Sequence, residues 1–323
     1  MVRVAFCGKG GSGKSTISSL FITYLHHKIK DDVLALDADL NMNLSGLLGV
    51  EFPTSKHLSS PDNSANFRKF LKGNNPLIRD ENAFLPTTPS GRGSNIIRDV
   101  MDENLSPYAV SVHQKPAMNL LTVGTYVAEE IGQACYHTNL FVAENLLTHT
   151  EFKDNQWIVS DMVAGTDAFS YSLHLQFDAI ILIAEPTPES AEVCKLYFGL
   201  AKEAGIENLV HIVANKVDDE EDLNFIRKVT GREPLGVVPS MPLLRKFRQQ
   251  GGSVTPEMLT DSLCGLFEKI KTVSEHPNPD SQKRFQKLKD LHYKLCSQYW
   301  VISGYGEDVV GQYGEDISHR KVG

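Results

Sequence analysis

Short apolar runs alternate with amphipathic stretches along most of this chain. Val2–Phe6, Val33–Leu36, Met118–Gly124, Gln156–Ser160, Ala179–Ala184, Leu209–Ala214 and Leu235–Val238 form the apolar set. Most are continuous rather than alternating, as strands buried on both faces of a parallel sheet are. Helical spacings lie between them. Ile17, Leu20, Phe21, Tyr24 and Leu25 mark a helix over 15–29, ended by Asp31-Asp32, and Leu140, Ala143, Glu144 and Leu147 mark another over 140–149. Glu185-Pro-Thr-Pro-Glu-Ser190 places prolines and acidic residues in a first turn, a helix start. Two more helices follow, about 255–274 and 280–299, with apolar faces at Leu259, Leu263, Leu266, Phe267 and Ile270 and at Phe285, Leu288, Leu291, Leu295 and Tyr299. The alternation predicts a single doubly wound α/β domain over 1–300 with a mostly parallel sheet.

Two stretches break the rhythm. Residues 51–118 are rich in Pro, Ser and Asn and read as an insertion, with a small helix at Phe67–Leu71 and short strands at Phe84–Thr88 and Asn95–Ile97. Residues 301–323 are Gly-rich and carry Tyr-Gly-Glu-Asp at 305–308 and again at 313–316. That composition predicts a mobile tail, or one ordered by a partner.

Composition narrows the function classes. With 323 residues, 41% hydrophobic and 22% charged, the chain reads as a soluble globular protein. A net charge of −8 counts against non-specific nucleic-acid binding, which needs a basic face. No apolar run approaches a membrane span, and the chain opens directly in a core strand, which predicts no leader. Cysteines at 7, 135, 194, 264 and 296 are odd in number and scattered. They read as reduced thiols of a cytoplasmic protein.

The chemistry starts at the end of the first strand. Gly8-Lys9-Gly10-Gly11-Ser12-Gly13-Lys14-Ser15-Thr16 is G-x-x-x-x-G-K-[ST] between a strand and a helix, the context of a phosphate-binding loop. Its glycines let backbone N–H groups turn toward phosphate oxygens, and the helix adds its positive end. Lys14 is placed for the β- and γ-phosphates and the Ser15 hydroxyl for Mg²⁺. Asp37-Ala-Asp39 ends the second strand and Asp161 ends the Gln156–Ser160 strand, followed by Gly165. Carboxylates at the carboxyl ends of parallel strands stand where such sheets bind ligands.

Lys9, just after the first glycine, resembles the early lysine of the deviant Walker A motif of the MinD/ParA superfamily. That superfamily includes the nitrogenase iron protein and the nickel-insertion ATPase of carbon monoxide dehydrogenase. The resemblance covers about 1–50 and 118–250. It implies an ATPase that dimerises face to face around ATP, with Lys9 reaching the partner's nucleotide, Asp39 orienting the attacking water, and Asp37 and Asp161 supporting Mg²⁺. It further implies that the Gly165 N–H approaches the γ-phosphate. Asn215, followed by Lys216, is implied to meet the adenine edge, with Pro239 to Pro242 close to the base. The Asn215-Lys-Val-Asp218 pattern also occurs in GTPases; adenine is preferred on the form of the loop.

Asp161-Met-Val-Ala-Gly165 looks closer to the nickel-insertion branch than to MinD or ParA. In that branch a C-x-C follows the third strand, where this chain has Cys135-Tyr-His137. At a dimer axis this would make a Cys₂His₂ set suited to Zn²⁺ or Ni²⁺. The alternative is a small buried Cys135 with His137 leading into the helix. The segment through Ser172 has no second cysteine, which disfavours a bridged iron–sulfur cluster. The resulting expectation is a homodimeric ATPase with a metalloprotein client. The alternative is a positioning or regulatory ATPase without a metal role, against which the acidic charge and the lack of a basic terminal helix count.

Overall fold

A computed structural model describes residues 1–125, 136–275 and 281–314. The strands are β1 (Val2–Gly8), β2 (Asp32–Ala38), β3 (Ala109–Gln114), β4 (Ala117–Thr122), β5 (Gln156–Met162), β6 (Ala179–Ala184), β7 (Val210–Asn215) and β8 (Gly236–Val238). They form one sheet of order β3-β4-β2-β5-β1-β6-β7-β8. Only the β3–β4 pairing is antiparallel. The chain leaves β1 for β2 on one side and, after β5, enters β6 on the other. A crevice opens at such a reversal, at the carboxyl end of β1.

Alternation along the strands divides the core. Val4 and Phe6 of β1 face one layer with Val33, Val159 and Ile181. Ala5 and Cys7 face the other with Leu34, Leu36 and Ile158. The first layer is closed by α1 (Lys14–Tyr24) and α8 (Asp261–Glu275). Phe21 of α1 lies at the centre, with ring centroids 5.6 Å from Phe6, 5.9 Å from Trp157 and 5.7 Å from Phe267. Burying one such side chain stabilises the fold by roughly 1.5–3 kcal/mol. The helix that opens on the phosphate-binding loop is therefore held by the centre of the core. The second layer includes α3 (Pro61–Lys72), α4 (Tyr136–Thr148), α5 (Pro188–Glu203) and α9 (Ser281–Cys296). Short α2 (Leu44–Leu47) follows β2, and α6 (Glu220–Thr230) and α7 (Pro242–Gln249) flank β8.

The insertion departs from expectation. Phe67–Leu71 does lie in a helix, α3. Phe84–Thr88 is not a strand. It is a buried loop whose backbone is satisfied by side chains: Asn145 Nδ2 donates to Leu85 O at 2.7 Å and Thr148 Oγ1 to Thr88 O at 3.1 Å. Asn95–Ile97 is not a strand either, beyond one bridge from Ile97 to Thr150. Apolar content predicted strands there, but neither stretch joins the sheet among the described residues. The antiparallel edge strand β3 was missed because its exposed positions dilute the apolar signal.

The expected tail is folded through residue 314. Helix α10 (Tyr299–Tyr305) and a 3₁₀ turn (Glu307–Tyr313) bury Val301, Val309 and Tyr313. Arg79 of the insertion pairs with Asp308 at 2.7 Å. Buried Gln312 accepts from Thr88 Oγ1 and donates to Ala83 O, both at 2.7 Å. The Gly-rich composition suggested mobility, yet three apolar anchors and one satisfied amide are enough to dock the segment. Gln312→Ala removes the acceptor of the Thr88 hydroxyl proton and the side-chain donor to Ala83 O, both in buried surroundings. It should lower stability by about 2 kcal/mol or more in urea unfolding; an unchanged midpoint would mean that this segment does not hold the insertion.

Candidate functional site

The loop after β1 is built by backbone geometry. Gly8 runs at φ +143 and a Cβ there would meet Ile183 O at 2.6 Å. Gly13, in the left-handed region at φ +96, caps α1, and a Cβ there would stand 2.4 Å from Asn215 Nδ2. Only glycine fits either position. Ser12 N donates to Lys9 O at 3.1 Å and Ile17 N to Gly13 O at 2.9 Å, closing the loop onto the helix. Gly10 and Gly11 are exposed, Ser15 and Thr16 half-buried, and Ser12 fully buried with its hydroxyl unpartnered.

Three carboxylates stand against this loop. The parallel register pairs Asp37 of β2 with Asp161 of β5. Adjacent strands lie about 4.8 Å apart, so the two acids are near neighbours. Asp37 Oδ2 accepts from Leu44 N at 2.9 Å and Oδ1 from Asp39 N at 3.2 Å, so this carboxylate braces the turn after β2. Burial pushes Asp37 up to about 7, against these two N–H donors, and the charge of Asp39 adds to the rise. Asp39 Oδ1 accepts from Asn41 N and Nδ2, both at 2.9 Å, and Oδ2 lies 3.7 Å from buried Lys14 Nζ. Lys14 Nζ also donates to Lys9 O at 3.5 Å.

Asp161 is the unusual member. It is fully buried, and among the described residues neither carboxylate oxygen has a hydrogen-bond partner. Burial, then neighbouring Asp37, hold its pKa well above the ordinary value, while Ser15 and Lys14 oppose the rise and Asp39 adds to it. The Ser15 hydroxyl thus stands beside Asp161, close enough to favour its charged form but outside hydrogen-bonding geometry. Two orphaned oxygens next to a hydroxyl, at the mouth of a phosphate-binding loop, fit a hard divalent cation.

Lys9 is held within its own chain. Its Nζ lies 3.2 Å from Glu185 Oε1, and Lys216 Nζ lies 2.7 Å from Glu185 Oε2. Burial alone would raise the Glu185 carboxyl, but Lys216 and Lys9 keep it below its ordinary value. Lys216 also donates to Gly11 O at 2.7 Å, and Asn215 Nδ2 to Ser12 O at 2.7 Å. The expected adenine-recognising pair is thus engaged with the loop backbone. Gly165 N donates to Gly8 O at 3.0 Å, so this N–H is not turned toward a phosphate position. Pro239 follows Val238, which pairs with Asn215, while Pro242 opens α7; both are exposed.

Some site residues escaped the sequence reading. Glu185 was read as the start of a helix, although its place at the carboxyl end of β6 was the available signal. Glu144 was read only as a helical position. It is buried in α4 and accepts from both N and Oγ of Ser172. Burial pushes it up to about 8. Cys135 and the side chain of His137, the expected interfacial set, lie outside the described residues.

The model of the CobQ/CobB/MinD/ParA nucleotide binding domain matches residues 4–254. The chain belongs to this family. It is therefore a nucleotide-binding P-loop ATPase of the MinD/ParA type. It is 27% identical to the carbon monoxide dehydrogenase accessory protein CooC of Rhodospirillum rubrum, over 77% of this chain and 88% of that one. It is 25% identical to an uncharacterized ATP-binding protein of Methanocaldococcus jannaschii, over 80% and 95%. Among solved structures, the cell division ATPase MinD of Pyrococcus furiosus matches at a TM-score of 0.57 and 20% identity, over 84% of this chain and all of that one. MinD complexed with Mg-ADP from Pyrococcus horikoshii matches at 0.55 and 19%, over 84% and 96%. These structures share the MinD/ParA fold. Among the described residues no helix is long and apolar enough to cross a membrane.

Asp161 supplies a test that needs no partner. Because burial raises its pKa, the unfolded chain ionises it at lower pH than the folded chain does. The group therefore costs stability at neutral pH. Asp161→Asn should raise the stability of nucleotide-free protein by about 1 kcal/mol or more while abolishing Mg²⁺-dependent ATP hydrolysis. Thermal melts with and without Mg-ATP check both; a destabilised but active variant would contradict the assignment.

Proposed function

We propose that this chain is a homodimeric ATPase that couples its nucleotide state to the assembly or insertion of a metal centre in a client protein. The carrying observation is a physical link between the nucleotide site and the segment that holds Cys135 and His137. Helix α4 begins at Tyr136, directly after Cys135. Its Glu144 bonds Ser172, and its Phe141 ring meets Tyr171 edge-on at 4.8 Å. Both partners lie on the segment that follows Asp161 and Gly165. A shift of that segment on γ-phosphate binding or loss would pull on α4, which begins directly after Cys135. The similarity to CooC, named as an accessory protein of a metalloenzyme, supports the same direction.

On this reading, bound Mg-ATP supplies the reacting phosphates and a cation at Ser15 and Asp161, with Asp37 bracing that shell. Lys14 neutralises the β- and γ-phosphates, which requires it to leave Asp39 and the Lys9 carbonyl. Asp39, so released, orients the attacking water. The backbone of Gly8, Gly10, Gly11, Ser12 and Gly13, with Thr16, cradles the phosphates. Asn215, Lys216, Pro239 and Pro242 frame the base. Lys9 is stored on Glu185 and moves to the partner's nucleotide in the dimer. Glu185 keeps Lys216 as counter-ion, so the release of Lys9 does not strand a buried carboxylate.

Two measurements test the proposal. Lys9→Ala should retain ATP binding and cut hydrolysis on the order of a thousandfold, as loss of a trans-acting cation does. Mixed dimers with wild type should show the defect in the opposite subunit's site; a defect confined to the mutant's own site contradicts the trans role. For the metal, Cys135→Ser should lower the zinc or nickel content of the ATP-bound dimer by one ion. An unchanged content with dimerisation intact would favour a positioning or regulatory ATPase without a metal role.

A further inference from the structure

At the opposite end of α1 three histidines converge. His26 and His27 lie in the π-helical turn Leu25–Ile29 that ends the helix, and His113 lies near the end of β3. Donor nitrogens of the three can be chosen so that all lie within 4.8 Å of one another. The ring centroids of His26 stand 4.4 Å from those of both His27 and His113. Consecutive residues of a regular helix diverge around its axis. Here a widened turn on one element and a register shift between Ser111 and His113 on the other bring the rings together. Irregularities of both kinds re-aim side chains and are frequent at functional sites.

The buried member is set up as a ligand. His26 is 4% exposed, and its Nε2 lies 3.2 Å from Pro116 O. A carbonyl can only accept, so Nε2 carries the proton and Nδ1 carries the lone pair. That Nδ1 is buried without a partner among the described residues. A backbone carbonyl on one ring nitrogen, with the other left bare, is how proteins orient a metal-binding imidazole. His27 is half-buried and His113 exposed. Some turning is required. The His26 and His113 rings are stacked at 19°, and tetrahedral zinc needs donors about 3.3 Å apart. Of the nearby charges acting on His27, Lys30 opposes a cation and Glu257 favours one.

We infer that His26, His27 and His113 form a binding site for a borderline divalent transition-metal ion, with an open fourth position toward solvent. Three imidazoles suit Zn²⁺, Ni²⁺ or Cu²⁺ and do not suit Mg²⁺. The site is separate from the nucleotide pocket. Lys14 and His26 are twelve residues apart along the helical path, about 18 Å at helical rise. It does not depend on the metal reading of Cys135, since each chain would carry its own ion without dimerising.

The experiment is zinc titration of nucleotide-free protein by calorimetry in the Cys135→Ser background. One Zn²⁺ per chain is expected. Adding His27→Gln and His113→Gln, both at accessible positions, should weaken that binding by about tenfold or more. Circular dichroism and ATP hydrolysis should match those of Cys135→Ser alone. Co²⁺ substitution should give a visible band that the histidine variant lacks. No uptake at micromolar zinc, or uptake unchanged by the two substitutions, overturns the inference. Substituting buried His26 risks the fold, and the test does not need it.

Discussion

The site rests on one electrostatic constraint, the burial of Asp37 and Asp161 side by side at the carboxyl ends of β2 and β5. Two like charges in a dry interior repel, and each loses its hydration. The fold treats them differently. Asp37 is bound into the turn after β2 by two backbone donors, whereas both oxygens of Asp161 are left bare. One acid braces a turn, and the other has no hydrogen-bond partner among the described residues. The arrangement costs stability in the nucleotide-free protein, and a bound cation would offset that cost. Burial of this kind persists because β1, β2 and β5 lie in the middle of the sheet, where no strand can shift without displacing both core layers.

The loop cations are arranged around the same problem. Lys14 is divided between Asp39 and a loop carbonyl, and Lys9 and Lys216 share Glu185. Asn215, Lys216 and Gly165 all engage loop carbonyls. The loop is thus closed on itself by the side chains and N–H groups that the family resemblance assigns to nucleotide. On the function proposed above, exchange of these internal contacts for phosphate and base contacts would be the trigger for motion. The Glu144–Ser172 and Phe141–Tyr171 contacts would then give that motion a path into the second core layer.

That layer is where the chain departs most from a minimal sheet. The insertion, α9 and the segment through residue 314 pack on one another as well as on the sheet. His292 of α9 bonds Thr87 at 2.8 Å and Val309 O at 2.9 Å. Arg79 and Gln312 tie the insertion to the C-terminal turn. None of these residues has a periodic or motif signal, because the ties between the insertion and the C-terminal elements join positions about two hundred residues apart through irregular backbone.

By itself the sequence determined the parallel core, the phosphate-binding loop and the placing of carboxylates at strand ends. Those features are local: a continuous apolar run makes a central strand, and glycine spacing sets a backbone path. Tertiary structure alone decided the rest. It decided that Phe84–Thr88 is a buried loop, because its backbone found side-chain partners on α4 instead of a strand. It decided that 301–314 docks, because Val301, Val309 and Tyr313 found an apolar surface that composition does not reveal. It paired Lys9 with Glu185 and gathered His26, His27 and His113. A contact between distant segments depends on how the layers close, and no local pattern of residues encodes that closure.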